Sequence, residues 1–295
     1  MVRVAAVIPT YNRWEKTQRF LQHFSQQTYA DMTTIIVDAN SPDRTGELAQ
    51  RYFPETFLLQ VDSQQYWAGA TNAGVRYALA QSYDYIFTIN DDAVVGPHHV
   101  QQLVDIAKRH NIFIVGNRIN YLVPSHRVWA LGTRLTWGTP TFLKLQYQDL
   151  SSDDIPKSIM DQEIWGVDTL PGDGVLIHRS VFEQVGLYQA TFLPHYHADS
   201  ELILRANRQG FQAYVAPHVV LQDDFSAEQK RQNLKSIAGL RYAFLDPRSH
   251  LYLPAIAYIF FRYCPWHAYP ATAYYLLKRL LRLGKGSSGP KGNGG

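Results

Sequence analysis

Four short apolar runs, 3–8 (RVAAVI), 34–38 (TIIVD), 57–61 (FLLQV) and 85–89 (YIFTI), are rich in branched and aromatic residues and predict buried strands. Segments 14–27, 43–53, 69–81 and 97–110 have helical length and place their apolar residues at helical spacing. This alternation predicts right-handed βαβ crossovers, hence an α/β fold with a mostly parallel central sheet flanked by helices. Ligands in such sheets bind beyond the carboxyl ends of the strands. Polar residues gather at those ends: Pro9-Thr10-Tyr11-Asn12-Arg13, Asp38-Ala39-Asn40-Ser41, Asp62-Ser63 and Asn90-Asp91-Asp92. Past residue 112 the alternation turns irregular. A strand-like 112–119 and a turn-rich 120–170 precede 174–188, which reads as strand, helix and turn.

The 295 residues are 46% hydrophobic and 18% charged, a globular balance that excludes a disordered or fibrous chain. The single cysteine, Cys264, excludes an intramolecular disulfide and a Cys-rich zinc module and points to a reducing compartment. Met1-Val2-Arg3 leads straight into the first apolar run, so no secretory leader is expected. The net charge of +3 is unevenly shared. Residues 226–295 hold eleven Lys and Arg against Glu228 and Asp246, a net of +9, which leaves −6 for residues 1–225.

Within the basic part, the unbroken apolar run 251–261 is too short for a membrane-spanning helix of about 20 residues, and Pro254, Pro265 and Pro270 interrupt its surroundings. Aromatic residues beside Lys278, Arg279, Arg282 and Lys285 fit an interfacial segment, 251–285, on an anionic membrane surface. A helix pair with a solvated basic edge is the other reading. The basic and aromatic alternation expected of a nucleic-acid groove is missing. The chain therefore divides into a sheet domain (1–225), a basic aromatic helical extension (226–285) and a low-complexity tail (286–295) expected to be disordered.

No Rossmann glycine fingerprint follows the first strand, and GATNAGV (69–75) lacks the Lys and Ser/Thr of a phosphate-binding P-loop. Asn90 and Asp92, two apart on an emerging strand, point the same way, with Asp91 beside them. Hard oxygen ligands of this kind suit Mg2+ or Mn2+ shared with a diphosphate; a helix-capping carboxylate ahead of Gly96-Pro97 is the plainer alternative. His195-Tyr196-His197-Ala198-Asp199 runs into the apolar helical pattern of Leu202, Ile203 and Leu204, so Asp199 stands at a helix start. There it is both a candidate general base toward a hydroxyl and an ordinary capping residue. A rival reading makes His195, His197 and Asp199 three metal ligands on one strand face, as in a metal-dependent hydrolase. Trp67 either stacks on a sugar or packs the core, while His178, Arg179 and His218 read as surface residues.

The order PTYNR (9–13), VDANSPD (37–43), YWAGATNAGV (66–75), INDDAVV (89–95), GDGVLIHRSVFEQVGLY (172–188) and ADSELILRANRQGF (198–211) resembles the family-2 inverting glycosyltransferases of GT-A fold, and within them the rhamnosyltransferase-like members that build cell-surface polysaccharide. The resemblance implies that Pro9, Thr10, Tyr11 and Arg13 contact the nucleotide, that Asp38 reads the base, and that Gly69 and Asn72 lie over the nucleotide-sugar. It puts Asn90-Asp91-Asp92 at the DxD position, with Asn in place of the first Asp and Asp92 as main ligand of Mn2+ or Mg2+. Asp199 matches the catalytic base, although Ala198 replaces the preceding Glu. Gly172, Asp173, Gly174, Trp67 and His197 fall near the donor sugar or acceptor. Asp223 stands near the place of a metal-binding His that many members carry, and no Gln-x-x-Arg-Trp motif of processive synthases is present. The expected activity is transfer of single sugars from a nucleotide-diphosphate donor to a glycan or lipid-linked acceptor, on the inner face of the cytoplasmic membrane. The Asn90 and Ala198 departures leave a non-catalytic nucleotide- or carbohydrate-binding protein as the alternative.

Overall fold

In the computed structural model, which describes residues 2–224 and 237–284, the first apolar run forms β1 (Val4–Thr10), buried along its whole length because both faces of the strand are covered. Helix α1 (Trp14–Phe24) answers it with Thr17, Phe20, Leu21 and Phe24, an i, i+3, i+4, i+7 stripe turned inward. Phe20 and Phe24 stack with ring centroids 4.9 Å apart, and burial of each such ring contributes about 2–3 kcal/mol. The chain continues through β2 (Met32–Asp38), α2 (Thr45–Tyr52), β3 (Phe57–Gln60), α3 (Tyr66–Ala80), β4 (Tyr85–Thr88), β5 (Val94–Val95), α4 (His99–His110), β6 (Ile114–Tyr121), β7 (Val128–Ala130), β8 (Thr133–Leu135) and β9 (Leu143–Leu145). Then come α5 (Lys157–Met160), β10 (Trp165–Val167), β11 (Val175–His178), α6 (Arg179–Val185), α7 (Ala198–Asn207) and β12 (Ala213–Asp223). The last elements are α8 (Ile237–Leu245), α9 (Leu253–Tyr263) and α10 (Tyr269–Gly284).

The main sheet has the order β10-β12-β6-β11-β4-β1-β2-β3, with β5 on β12 and β7 on β6. Strands β3, β2, β1 and β4 are parallel, as the βαβ alternation predicts. The expectation of a mostly parallel sheet fails beyond β4. Strand β11 enters antiparallel to both β4 and β6, and β10 is antiparallel to β12, so the sheet is mixed. The reason is the connection: β11 is reached by the irregular excursion through β7–β10 instead of a helical crossover, and no constraint forces it parallel.

The chain divides into two compact units, Met1–Arg134 with Leu145–Glu228, and Leu135–Lys144 with Gln229–Gly295. The second unit takes in residues 135–144 besides the basic region that starts at Gln229. Its prolines mark helix starts: Pro254 lies in the first turn of α9 and Pro270 in the first turn of α10, where a missing N–H costs nothing. The expected disordered tail, 286–295, and Lys285 lie outside the described residues.

Candidate active site

The turn after β1 meets the turn after β4 through charge. Asp91 is 1% exposed; its Oδ2 accepts from Thr10 (2.6 Å) and Thr17 (2.7 Å), and its Oδ1 accepts from Arg13 Nη1 (2.8 Å). Burial pushes the Asp91 carboxyl above its ordinary range, against the pull of Arg13 and the two hydroxyls. Asp92 accepts from Arg13 Nη2 (3.0 Å) and Lys16 Nζ (3.1 Å). Arg13 thus bridges both carboxylates in a two-pronged grip that a point charge does not reproduce. Lys16, absent from the sequence reading, belongs to the same group; the signal for it is its place one turn beyond Arg13 at the start of α1. No α-helix begins at Asp92, so the capping alternative does not apply: β5 follows, and α4 starts at His99.

Asn90 faces a second neighbourhood. Its backbone N–H donates to Asp173 Oδ1 (2.8 Å), and its Oδ1 accepts from Trp67 Nε1 (3.0 Å). The Trp67 ring meets Tyr188 edge-on at 5.3 Å while its N–H orients Asn90. Asp173 is 5% exposed, and its Oδ2 has no hydrogen-bond partner. Burial pushes this carboxyl well above the ordinary range, and the charges of Asp223, Asp92 and Asp91 add to the shift.

Both glycines flanking Asp173 are dictated by space. At Gly172 a Cβ would come within 2.8 Å of the Trp67 ring and 3.0 Å of Asp199 Cβ. At Gly174, with φ +77°, a Cβ would fall 1.8 Å from Asn117 Oδ1. The Gly174 N–H donates to the Thr88 carbonyl (2.9 Å), which ties the loop to β4.

Asp199 lies in the first turn of α7, where its Oδ2 accepts from the Gly172 N–H (2.7 Å) and its Oδ1 from the Ser200 N–H (2.8 Å). Burial raises its pKa against those two bonds. The residue is half-buried, and each carboxylate oxygen keeps a further lone pair for a proton. His197 precedes the helix with φ 69°, and residues 192–197 form no strand. The strand-face triad of His195, His197 and Asp199 therefore does not exist, since Asp199 is helical. Among the described residues no group of three or more His, Cys, Asp or Glu is arranged to hold a metal by itself.

The other residues singled out from the sequence have the following surroundings. Asp38 is 3% exposed and accepts at Oδ2 from the Ser41 N–H and at Oδ1 from its hydroxyl, so it shapes its own loop. Asn72 is buried, with Nδ2 donating to the Tyr188 carbonyl (2.8 Å) and Oδ1 accepting from the Tyr188 N–H (2.9 Å). This amide clips α3 to the segment before α7. Gly69 lies within α3 against Gln65, Pro9 and Thr10 are buried at the end of β1, and Tyr11 is 52% exposed. Asp223, 5% exposed, closes β12 and donates charge to the Asp173 environment. His178 and His218 are engaged by Ser180 and the Met160 carbonyl.

The profile of the family described as Glycosyl transferase family 2 matches residues 5–186, well over half of the chain. Relatives include the glycosyltransferase GlyG of Streptococcus pneumoniae, 24% identical over 119 residues that span 40% of either chain. The undecaprenyl-phosphate mannosyltransferase of Micrococcus luteus is 26% identical over 121 residues, 40% of this chain and 49% of that one. The aligned part thus covers less than half of these relatives. Among solved structures, GalNAc-T7 with UDP, GalNAc and Mn2+ superimposes with a TM-score of 0.60 at 13% identity, over 76% of this chain and 44% of that one. Residues 1–349 of TarS from S. aureus give 0.52 at 11% identity, over 76% and 60%. At such identities the likeness is one of fold.

Proposed function

The chain belongs to glycosyl transferase family 2, and from that membership we propose that it is an inverting transferase moving one sugar from a nucleotide-diphosphate donor to a hydroxyl of a glycan or lipid-linked acceptor. The observation that carries this reading is the convergence on Gly172: its N–H holds Asp199, and its bare Cα leaves room for Trp67, whose N–H orients Asn90 two residues before Asp92. A basic carboxylate and a cation-rich carboxylate turn thus flank one loop.

Arg13 and Lys16 supply positive charge at the end of β1, where the donor diphosphate would lie. Asp92, with Asp223 as a second hard oxygen, would hold Mn2+ or Mg2+; the buried orphan oxygen on neighbouring Asp173 and the all-oxygen donor set fit such an ion. When bound, the cation offsets the charge of the leaving diphosphate. Asp199 takes the proton of the acceptor hydroxyl as that oxygen attacks the anomeric carbon, and the bond from that carbon to the diphosphate oxygen breaks on the opposite face, which inverts the configuration. Burial makes Asp199 a stronger base than an exposed aspartate. Membership of the rhamnosyltransferase-like subgroup, and a role in cell-surface polysaccharide synthesis, rest on motif order alone.

The second unit would bring the acceptor within reach. It carries twelve Lys and Arg against Asp246, a net charge of +11, and exposes Phe261 (69%), Trp266 (84%) and Leu277 (56%). No helix among the described residues is long and apolar enough to cross a membrane. Basic charge with exposed aromatics suits adsorption to an anionic bilayer, which would bring the enzyme to lipid-linked acceptors on its inner face.

The test is Asp199→Asn, which keeps shape and removes basicity. Turnover should fall about 10²–10⁴-fold, while thermal stabilisation by the productive nucleotide in a panel of UDP, dTDP, GDP and CDP persists. In the unchanged enzyme kcat/KM should decline on the acid side with an apparent pKa above that of a free aspartate, because the base must be unprotonated. Full turnover in Asp199→Asn would remove it as the base.

A further inference from the structure

We infer that Asp173 is itself a cation ligand, its Oδ2 sharing the divalent ion with Asp92, which gives this chain a coordinating carboxylate in the loop between β10 and β11. The inference rests on the metal-assisted reading above and extends it to a residue that the DxD resemblance does not reach.

Three carboxylates are at issue, and they are not answered equally. Asp91 has Arg13, Thr10 and Thr17; Asp92 has Arg13 and Lys16. Asp173 has one backbone N–H on Oδ1, no ion pair among the described residues, and nothing on Oδ2. A buried polar atom left without a partner costs about 1–3 kcal/mol, and more when it carries charge. The position is enforced: Gly172 and Gly174 admit no side chain, and the Asn90 N–H fixes the other oxygen.

Three occupants would relieve Oδ2. A water satisfies the hydrogen bond and leaves the charge. A proton neutralises Asp173 alone. A divalent cation neutralises Asp173 and also offsets Asp92 and Asp223, whose negative charges both act on this carboxyl. Asp173 then takes the second coordination place and Asp223 contributes charge alone; two protein carboxylates, completed by diphosphate oxygens and water, are an ordinary set for Mg2+ or Mn2+ and are compatible with the lack of a three-residue cage among the described residues.

The experiment is a thermal-shift titration of the full chain with Mn2+ alone, followed by Mn2+ electron paramagnetic resonance to count bound ion. The wild type should gain about 3 °C or more at saturating Mn2+. Asp173→Asn keeps an acceptor for the Asn90 N–H and removes the charge. It should melt higher than the wild type without metal and bind Mn2+ at least tenfold more weakly. A merely structural role would instead lower the metal-free melting temperature and leave the affinity unchanged. Asp173→Ser, whose hydroxyl also accepts from Asn90, repeats the test if the Asn variant does not fold. Unchanged Mn2+ affinity in a folded variant overturns the assignment of Asp173 and leaves Asp92 in place. No Mn2+ binding by the wild type, alone or with UDP, overturns the metal-assisted reading as well.

Discussion

His99 sits in the first turn of α4, 2% exposed, with Nε2 at 3.1 Å from Asn117 Oδ1. Asn117 in turn borders Gly174, so this histidine supports the Gly172–Gly174 loop from beneath. Burial drives its pKa down to about 4 even though its hydrogen bonds favour the charged ring. Unfolded, the ring titrates near 6.5. Between those values the unfolded chain holds the extra proton, so stability rises with pH through the window. The contribution is fully present above about 6.5 and is lost as the pH falls toward 4. Across the whole window it amounts to about 3 kcal/mol, of which about 2 kcal/mol is lost by pH 5.

His99→Gln keeps an amide opposite Asn117 and does not titrate. Urea unfolding of both proteins at pH 7.5, 6 and 5 should show the wild type losing about 2 kcal/mol more than the variant between the extremes. Carboxylates that titrate in the same range are common to both proteins and cancel in the difference. Identical pH slopes would refute a neutral buried His99.

Lys16→Met should leave stability within about 1 kcal/mol, since the Lys16–Asp92 pair is partly solvated, yet weaken nucleotide-diphosphate affinity about tenfold in calorimetry; unchanged affinity would exclude Lys16 from the diphosphate site. Trp266→Ser should reduce co-sedimentation with vesicles containing anionic lipid and leave turnover on a soluble acceptor intact, whereas equal sedimentation would exclude that exposed indole as a membrane contact.

The parallel half of the sheet was legible because β1, β4 and the second half of β2 bury both faces and read as apolar runs. The strand and helix after residue 174 were legible for the same reason of periodicity. The antiparallel entry of β11 was not, since nothing in VLIH encodes direction and its partner in β4 is some ninety residues away. Motif order singled out Asp92 and Asp199. It did not disclose that Asn72 bonds Tyr188 at both ends of its amide, 116 residues on, or that Asp38 accepts from Ser41. Such contacts depend on tertiary approach, which local spacing does not determine. Lys16 was overlooked for a related reason: a lysine at a helix start is ordinary until the turn after β4 delivers a carboxylate to it.

The insertion of β11 between β4 and β6 also sets an order of events during synthesis. Strands β1, β2, β3 and β4 all lie within the first 88 residues, so this parallel half can close once about ninety residues have emerged, although its β1–β4 pairing already joins residues 81 apart. The other half waits for β11 to join β4 and for β12 to pair with β6, contacts of high order that form slowly. Until then the outer edge of β4, with its buried Tyr85-Ile86-Phe87-Thr88, is an open template for a wrong strand. Nascent chains halted before residue 175 should therefore need a chaperone, and the carboxylate of Asp199 is among the last parts of the machinery to arrive.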